Sequence, residues 1–219
     1  PSSIPTVLTA HTTYLGMSGK FYPRPYYQSQ WSPTSVRVKR WMEQRILAKT
    51  DRIVALTEQG RQEVLQYGFN RPIDIVPNGA DIRKFTPDPT IAKDIDVLFS
   101  GRIETRKGSR ALGPVCEQLV RLKPDIKIVI VGYGDDDAHV MEAVKHLPQV
   151  QMAGKVPFAQ MRQFYDRAKL YLATSYYEGL PGTCLEAMAM KLPPVVWGFD
   201  FYRDLVTDGR TGCPVVPDD

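Results

Sequence analysis

The sequence predicts an α/β protein built on parallel sheets, and three observations carry that prediction. Short apolar runs rich in Val, Ile and Leu recur along the chain, longer amphipathic segments separate them, and turn-forming residues mark the joins. Strands that are apolar on both faces are buried on both faces, as in a parallel sheet covered by helices.

In the first part, Pro5 to Ala10 is a short strand, and His11 to Pro33, rich in Tyr, Ser, Gly and Pro, is a long loop. Loops beyond about 12–15 residues without structure of their own are uncommon and are often functional, so this one is a candidate lid or acceptor surface. Thr34 is placed to cap a helix running to about Lys49, with Val38, Trp41, Met42 and Ile46 near one face. Arg52 to Leu56 is a strand, Thr57 a cap, Glu58 to Tyr67 a helix and Ile73 to Val76 a strand.

Pro77-Asn78-Gly79 marks a turn, and the polar stretch from Ala80 to Lys93 reads as a linker. A second unit follows, with strands at 96–100, 126–131, 150–153, 170–173 and 194–197 and helices at 109–122, 135–146, 158–168 and 183–190. The expected organisation is therefore a first domain over residues 1–83 and a second over 84–219. Parallel sheets bind ligands outside the carboxyl ends of their strands, which directs attention to the loops after them.

Composition narrows the classes. With 219 residues, 43% apolar and 24% charged, the chain is neither a disordered nor a fibrous polymer. Residues 1–94 carry 13 basic against 8 acidic side chains and the remainder 15 against 16. The net charge of +4 is mild, and the basic residues do not interleave with aromatics along one stripe, so a nucleic-acid partner is not expected. Cys116, Cys184 and Cys213 are scattered without metal-ligand spacing, which argues against a disulfide framework or zinc site and for a reducing, cytoplasmic setting. No apolar run reaches the roughly 18–20 residues of a membrane span, and no signal-peptide pattern opens the chain.

Four constellations stand in the strand-end loops. In GRIETRKG, Gly101 to Gly108, Arg102 leaves a strand and Lys107 precedes a helix, so two cations and free helix N–H groups suit a diphosphate, with a solvated loop as the bland alternative. It lacks the Walker A order. In VGYGDDD, Val131 to Asp137, the third glycine of a dinucleotide fingerprint is missing, and the three aspartates fit a helix dipole better than a metal. In SYYEGLPGTCLEAMAM, Glu178 lies in a loop and Glu186 eight positions on in a helix, with a glycine-rich turn between them. Carboxylates are acceptors only and suit sugar and ribose hydroxyls; a capped helix with an incidental Glu is the bland alternative. In TAHTT, His11 stands just beyond a strand end, a position that favours function, with a structural histidine as the bland alternative, while His139 and His146 look like surface residues of a helix.

Together with VPNGAD (Val76 to Asp81), Phe85, AGKV, PPVV, Asp208-Gly209 and Gly212, these loops resemble family 4 of the retaining glycosyltransferases, whose GT-B architecture comprises two Rossmann-like domains. The resemblance covers nearly the whole chain and is densest from Val76 to Val196. It implies that Arg102 and Lys107 hold the donor diphosphate and stabilise the leaving group. Glu178, the first Glu of E-x7-E, would stand against the donor sugar near the backbone of Gly179, Leu180, Pro181 and Gly182, with Thr183 beyond. Glu186 would contact the nucleotide ribose, His11 would lie beside the sugar, and Lys155 and Val156 would lay backbone against the base.

The resemblance further implies a nucleoside-diphosphate sugar as donor substrate, a sugar, lipid or small molecule as acceptor, retention of configuration, and no protein nucleophile, cofactor or metal. It also implies a fragment: nothing before Pro5 supplies the family's first strand and glycine-rich loop, and the final helices are missing after Asp219, so the first domain is incomplete and little transfer activity is expected. A nucleotide-sugar epimerase or hydrolase of the same architecture, or a non-catalytic sugar-nucleotide binding module, are the alternatives.

One segment lies outside these roles. Arg37, Lys39, Arg40, Arg45 and Lys49 face a single Glu43, with Trp41 among them. Such a helix can rest on anionic lipid at the inner membrane face, each nearby cation adding ~1 kcal/mol. Arg45 interrupts its apolar face, however, and a solvated helix packed on a sheet is the preferred reading.

Overall fold

The computed structural model describes residues 4–18, 32–69 and 71–216. The chain divides into two compact units, residues 1–78 with 177–180 and residues 79–176 with 181–219. The divide by packing falls after Asn78, at the turn signal.

The first unit holds a parallel sheet of β1 (Val7–Ala10), β2 (Arg52–Ala55) and β3 (Ile73–Ile75) in that order. Helices α1 (Tyr14–Met17), α2 (Pro33–Lys49) and α3 (Glu58–Leu65) accompany it. Thr57 caps α3, its hydroxyl accepting from Gly60 N at 3.1 Å, and Glu58 in the first turn complements the helix dipole. Its core joins Leu15, Leu47, Ile53, Ala55, Val64, Tyr67 and Ile73.

Two expectations need correction here. Ser32, not Thr34, caps α2, accepting from Ser35 N at 3.2 Å, because Pro33 is preorganised for the first helical position. The face carrying Val38, Trp41, Met42 and Ile46 is not packed: each is about half exposed, whereas Leu47 is buried. The long loop contains α1 at its start, and its residues 19–31 lie outside the described residues.

The second unit holds six parallel strands in the order β6-β5-β4-β7-β8-β9. They are β4 (Ile95–Ser100), β5 (Ile128–Val131), β6 (Val150–Gly154), β7 (Ala168–Ala173), β8 (Pro194–Trp197) and β9 (Cys213–Val215). Between them run α4 (Ser109–Leu122), α5 (Asp137–Val144), α6 (Met161–Arg167), α7 (Gly182–Ala189) and α8 (Asp200–Arg203). Every residue of β5 is buried, and Val97, Phe99, Ile128 and Ile130 pack with Leu112 and Cys116 of α4 and Val140 and Val144 of α5. Full burial of each such side chain contributes roughly 1.5–3 kcal/mol. The sequence pattern missed α8 and β9, whose segments are too short to show a period.

Because β4 leads outward to β5 and β6 on one side, and the chain then returns to β7 on the other, the strand order reverses between β4 and β7. In open α/β sheets this switch point is where ligands bind.

Candidate functional site

At the switch point of the second unit, residues 101–108 leave β4 and α7 follows β7. Gly108 has a left-handed φ of 73°, and a Cβ on it would lie 1.8 Å from the Thr174 carbonyl oxygen. Only glycine lets the start of α4 approach the end of β7 so closely. The Thr174 hydroxyl donates to the Lys107 carbonyl at 3.0 Å, and Tyr176 N donates to the Arg106 carbonyl at 2.9 Å. The cationic loop is thereby stitched to the strand that leads into the E-x7-E segment.

Within that loop, Arg102 is exposed and pairs with Glu104 at 3.2 Å, while the nearly buried Arg106 holds the same Glu104 oxygen at 2.8 Å. Glu104 and Arg106 carry no role in the sequence reading, yet they orient Arg102. Lys107 is half-buried on a single 3-10 turn, Thr105–Lys107.

Glu186, on α7, is held from beneath. Tyr165, fully buried, donates to its Oε2 at 3.0 Å, and the Ser100 hydroxyl lies 2.9 Å from the Tyr165 hydroxyl. With the tyrosine proton directed at the carboxylate, Ser100 is the donor to Tyr165. Burial pushes the Glu186 carboxyl above the usual carboxylate range, and the Tyr165 hydrogen bond pulls against it. Tyr171 donates to the Ser100 carbonyl at 3.1 Å and lies 2.7 Å from the Thr183 hydroxyl. Phe85 stacks edge-on against Tyr165 at 5.8 Å, which gives this linker residue a supporting place behind Glu186. Pro181 is buried and Gly182 exposed where α7 begins.

The glycines of VGYG serve packing. A Cβ on Gly132 would lie 1.8 Å from the Gly101 carbonyl oxygen, and one on Gly134 would lie 2.3 Å from that of Ile103. The loops after β4 and β5 therefore touch backbone to backbone, with Ile103 N donating to the Tyr133 carbonyl at 3.0 Å. The aspartates differ from expectation as well. Asp137 lies in the first turn of α5, but Asp136 makes no capping bond and instead accepts from Thr105 Oγ1 at 2.9 Å and from the Ser109 hydroxyl. It ties the cationic loop and α4 to α5. Among the described residues, no group of three or more His, Cys, Asp or Glu is arranged to hold a metal ion. Lys155 is exposed, its ammonium 4.7 Å from the centre of the Tyr133 ring, and Val156 is half-buried beside it.

The remaining site residues belong to the first unit. His11 is exposed just past β1, Glu178 and Leu180 are buried, and Gly179 is so close to the His11 loop that a Cβ would lie 1.5 Å from the His11 carbonyl oxygen. The Thr57 hydroxyl donates to the Gly179 carbonyl at 3.3 Å. His11, Thr12, Thr13, Thr57, Glu63 and Glu178 line one crevice that leaves no room for a water molecule. His139 and His146 are exposed on or beside α5, as surface residues.

Several known proteins are similar. Alpha-maltose-1-phosphate synthase of Mycolicibacterium smegmatis is 26% identical over 96% of this chain and 64% of its own length. The phosphatidyl-myo-inositol mannosyltransferase of the same organism is 32% identical over 66% of this chain and 39% of its own. The chain thus spans less than two thirds of the length of these relatives. Anabaena HepE, solved in complex with UDP and glucose, superposes with a TM-score of 0.76 at 20% identity, over 97% of this chain and 58% of its own, which establishes a GT-B fold. Among the described residues no helix is long and apolar enough to cross a membrane. Glycosyltransferase Family 4 matches residues 1–84 and Glycosyl transferases group 1 matches residues 81–219, more than half of the sequence; the chain belongs to the glycosyl transferases group 1 family.

Proposed function

We propose that this chain carries the donor-binding machinery of a retaining glycosyltransferase that moves a sugar from a nucleoside diphosphate to an acceptor. The observation that carries the reading is the meeting, at the switch point of one sheet, of the Arg102 to Lys107 loop after β4 with the Glu186-bearing helix after β7. The cations and the helix N–H groups suit a diphosphate, and the Glu186 oxygen not taken by Tyr165 suits a ribose diol. HepE, with UDP and glucose bound, supports the same donor class.

The chemistry follows from charge. The bond between the anomeric carbon and the diphosphate oxygen breaks, and negative charge builds on that oxygen. Arg102 and Lys107 stabilise it electrostatically. The acceptor oxygen attacks from the same face, its proton passes to the departing phosphate, and configuration is retained. Glu178 and His11 hydrogen-bond the sugar. With two fixed cations at the diphosphate, no step requires a divalent metal, so EDTA is expected to leave binding unchanged.

For the acceptor, the lipid named in the mannosyltransferase relative favours a lipid or polyol. Trp41, with Arg45 4.5 Å over its ring, and the half-exposed Val38, Met42 and Ile46 support peripheral contact with an anionic membrane from the cytoplasmic side.

Calorimetric titration with UDP, GDP and ADP tests the donor site. One of them is expected to bind at least tenfold more tightly than inorganic phosphate, and Lys107→Ala and Glu186→Ala are each expected to weaken it about tenfold. If no nucleoside diphosphate outcompetes inorganic phosphate on the wild-type chain, the reading is wrong.

A further inference from the structure

Inside the first unit lies a buried carboxylate for which the donor reading has no use. Glu63, on α3, is 1% exposed. Its Oε2 accepts from the Thr13 hydroxyl at 2.6 Å and from the Tyr177 hydroxyl at 2.7 Å, and its Oε1 accepts from Gln59 Nε2 at 2.9 Å. Burial raises the Glu63 carboxyl above the ordinary carboxylate range, and all three donors oppose that rise.

The two hydroxyls are themselves acceptors. Thr13 Oγ1 takes the N–H of Gly16 at 2.8 Å, and Tyr177 Oη takes the N–H of Thr13 at 3.2 Å. Each chain therefore runs backbone N–H to hydroxyl to carboxylate, and both end on one oxygen. An amide can still end both chains with its oxygen, its NH2 then facing a Gln59 amide turned to accept, whereas an aliphatic side chain ends neither. The packing around the knot is equally specific: a Cβ on Gly16 would lie 2.1 Å from Tyr177 Oη and 2.6 Å from Glu63 Oε2.

What the knot ties together is informative. Tyr177 immediately precedes Glu178, and Thr13 is two residues beyond His11. Glu63 thus fastens the flanks of both residues, in a crevice too tight for water to relax the arrangement. We propose that Glu63 is a positioning residue that sets the placement of His11 and Glu178 for the donor sugar, acting through Thr13 and Tyr177 and touching no substrate itself. The inference rests on the sugar-nucleotide reading above.

The test compares two affinities measured on the full chain: that for the best-binding nucleoside diphosphate, and that for its glucose or mannose conjugate. The ratio isolates the sugar's share of binding. Glu178→Ala, a variant of the proposed sugar site, calibrates its loss. Glu63→Leu, which accepts from neither hydroxyl, is expected to lower the ratio about tenfold while leaving nucleoside diphosphate affinity within twofold of wild type, and Glu63→Gln, whose amide oxygen can accept from both, is expected to keep most of the ratio. A merely structural defect would lower both affinities together. Should Glu63→Leu fail to fold, Tyr177→Phe, which keeps the ring and deletes one chain, is expected to lower the ratio severalfold.

A ratio unchanged in Glu63→Leu, or in Tyr177→Phe where that variant takes its place, with Glu178→Ala lowering it, overturns the inference and leaves the donor reading standing. A wild-type chain that binds the conjugate no better than the nucleoside diphosphate also overturns it, since there is then no sugar contact to position. A wild-type chain that binds no nucleoside diphosphate removes the donor reading itself, and this inference with it.

Discussion

The two units solve the same problem with different means. The second is organised by apolar packing: β5 is buried along its whole length, and Leu98, Ile103, Leu112 and Ile130 have no exposed surface. The first has three short strands, and buried polar ties do much of its specifying, the Glu63 knot in one place and Glu43 in another, which accepts from Tyr14 N at 2.9 Å and from the Tyr67 hydroxyl. Apolar packing tolerates changes that keep volume, whereas a polar knot tolerates no exchange of donor for acceptor. The loops that carry chemistry use both devices in each unit: Gly108 and Gly179 admit backbone carbonyls, and Asp136 and Glu63 gather hydroxyls.

The contrast breaks most severely at Gly108. Alanine there meets a left-handed backbone and the Thr174 carbonyl at once, at a cost of about 3 kcal/mol or more. Gly108→Ala is expected to lower the melting temperature and abolish nucleotide binding; a chain that melts and binds as wild type does would refute the close approach.

Next in size is Leu98→Ala, which empties a fully buried site in the second sheet and is expected to cost about 2–5 kcal/mol in chemical denaturation. Peptide-resolved hydrogen exchange should place the loss in β4, β5 and β7. Protection lost equally in α3 and β2 would show that the two units do not differ in the way described.

Tyr165→Phe is smaller and sharper. It removes only the hydroxyl between Ser100 and Glu186, and nucleotide affinity is expected to fall about five- to tenfold with stability reduced by about 1 kcal/mol. An affinity unchanged within error would mean that Glu186 needs no such support.

The smallest effect separates single carboxylates, Asp96 from Glu63 and Glu43, by the sign of their pH dependence. Asp96, in β4, is drawn down to about 2 by its hydrogen bonds to Lys169 and to the Lys127 N–H, with Lys123 adding to them. Its contribution is complete above the ordinary value of 3.8 and is lost as pH falls from about 4 toward 2. Glu63 and Glu43 are raised, each chiefly by burial, so their folded forms favour the proton; their contribution is greatest below about 4.5 and declines as pH rises through the folded value. Hydrogen exchange at pH 3 and pH 7 should show acid weakening β4 relative to β2, and Asp96→Asn should flatten the profile of β4 alone.

Much of the second unit was legible in the sequence, because its strands are unbroken apolar runs and its helices amphipathic; the helix from Ser109 to Leu122 and the strand from Pro194 to Trp197 stand where the pattern sets them. The strand-end loops were equally legible as positions. What escaped are interactions without a period. Tyr165 reads as one more apolar residue of a helix, Glu63 as a solvated charge between Gln62 and Val64, and Asp136 as one of three acids at a helix start. Val38, Trp41, Met42 and Ile46 read as a packed face because spacing reports that residues share a side, not what that side meets.

By itself the sequence determined the alternation of strands and helices, hence a parallel α/β fold, and the loops in which its unusual residues gather; both follow from local patterns of burial and turn chemistry. Only the tertiary structure decided that β4 neighbours β7, that Gly108 admits Thr174, and that Glu63 holds a tyrosine 114 residues away. Strand order and hydrogen-bond partners are long-range pairings, and a chain read residue by residue carries no distance between them.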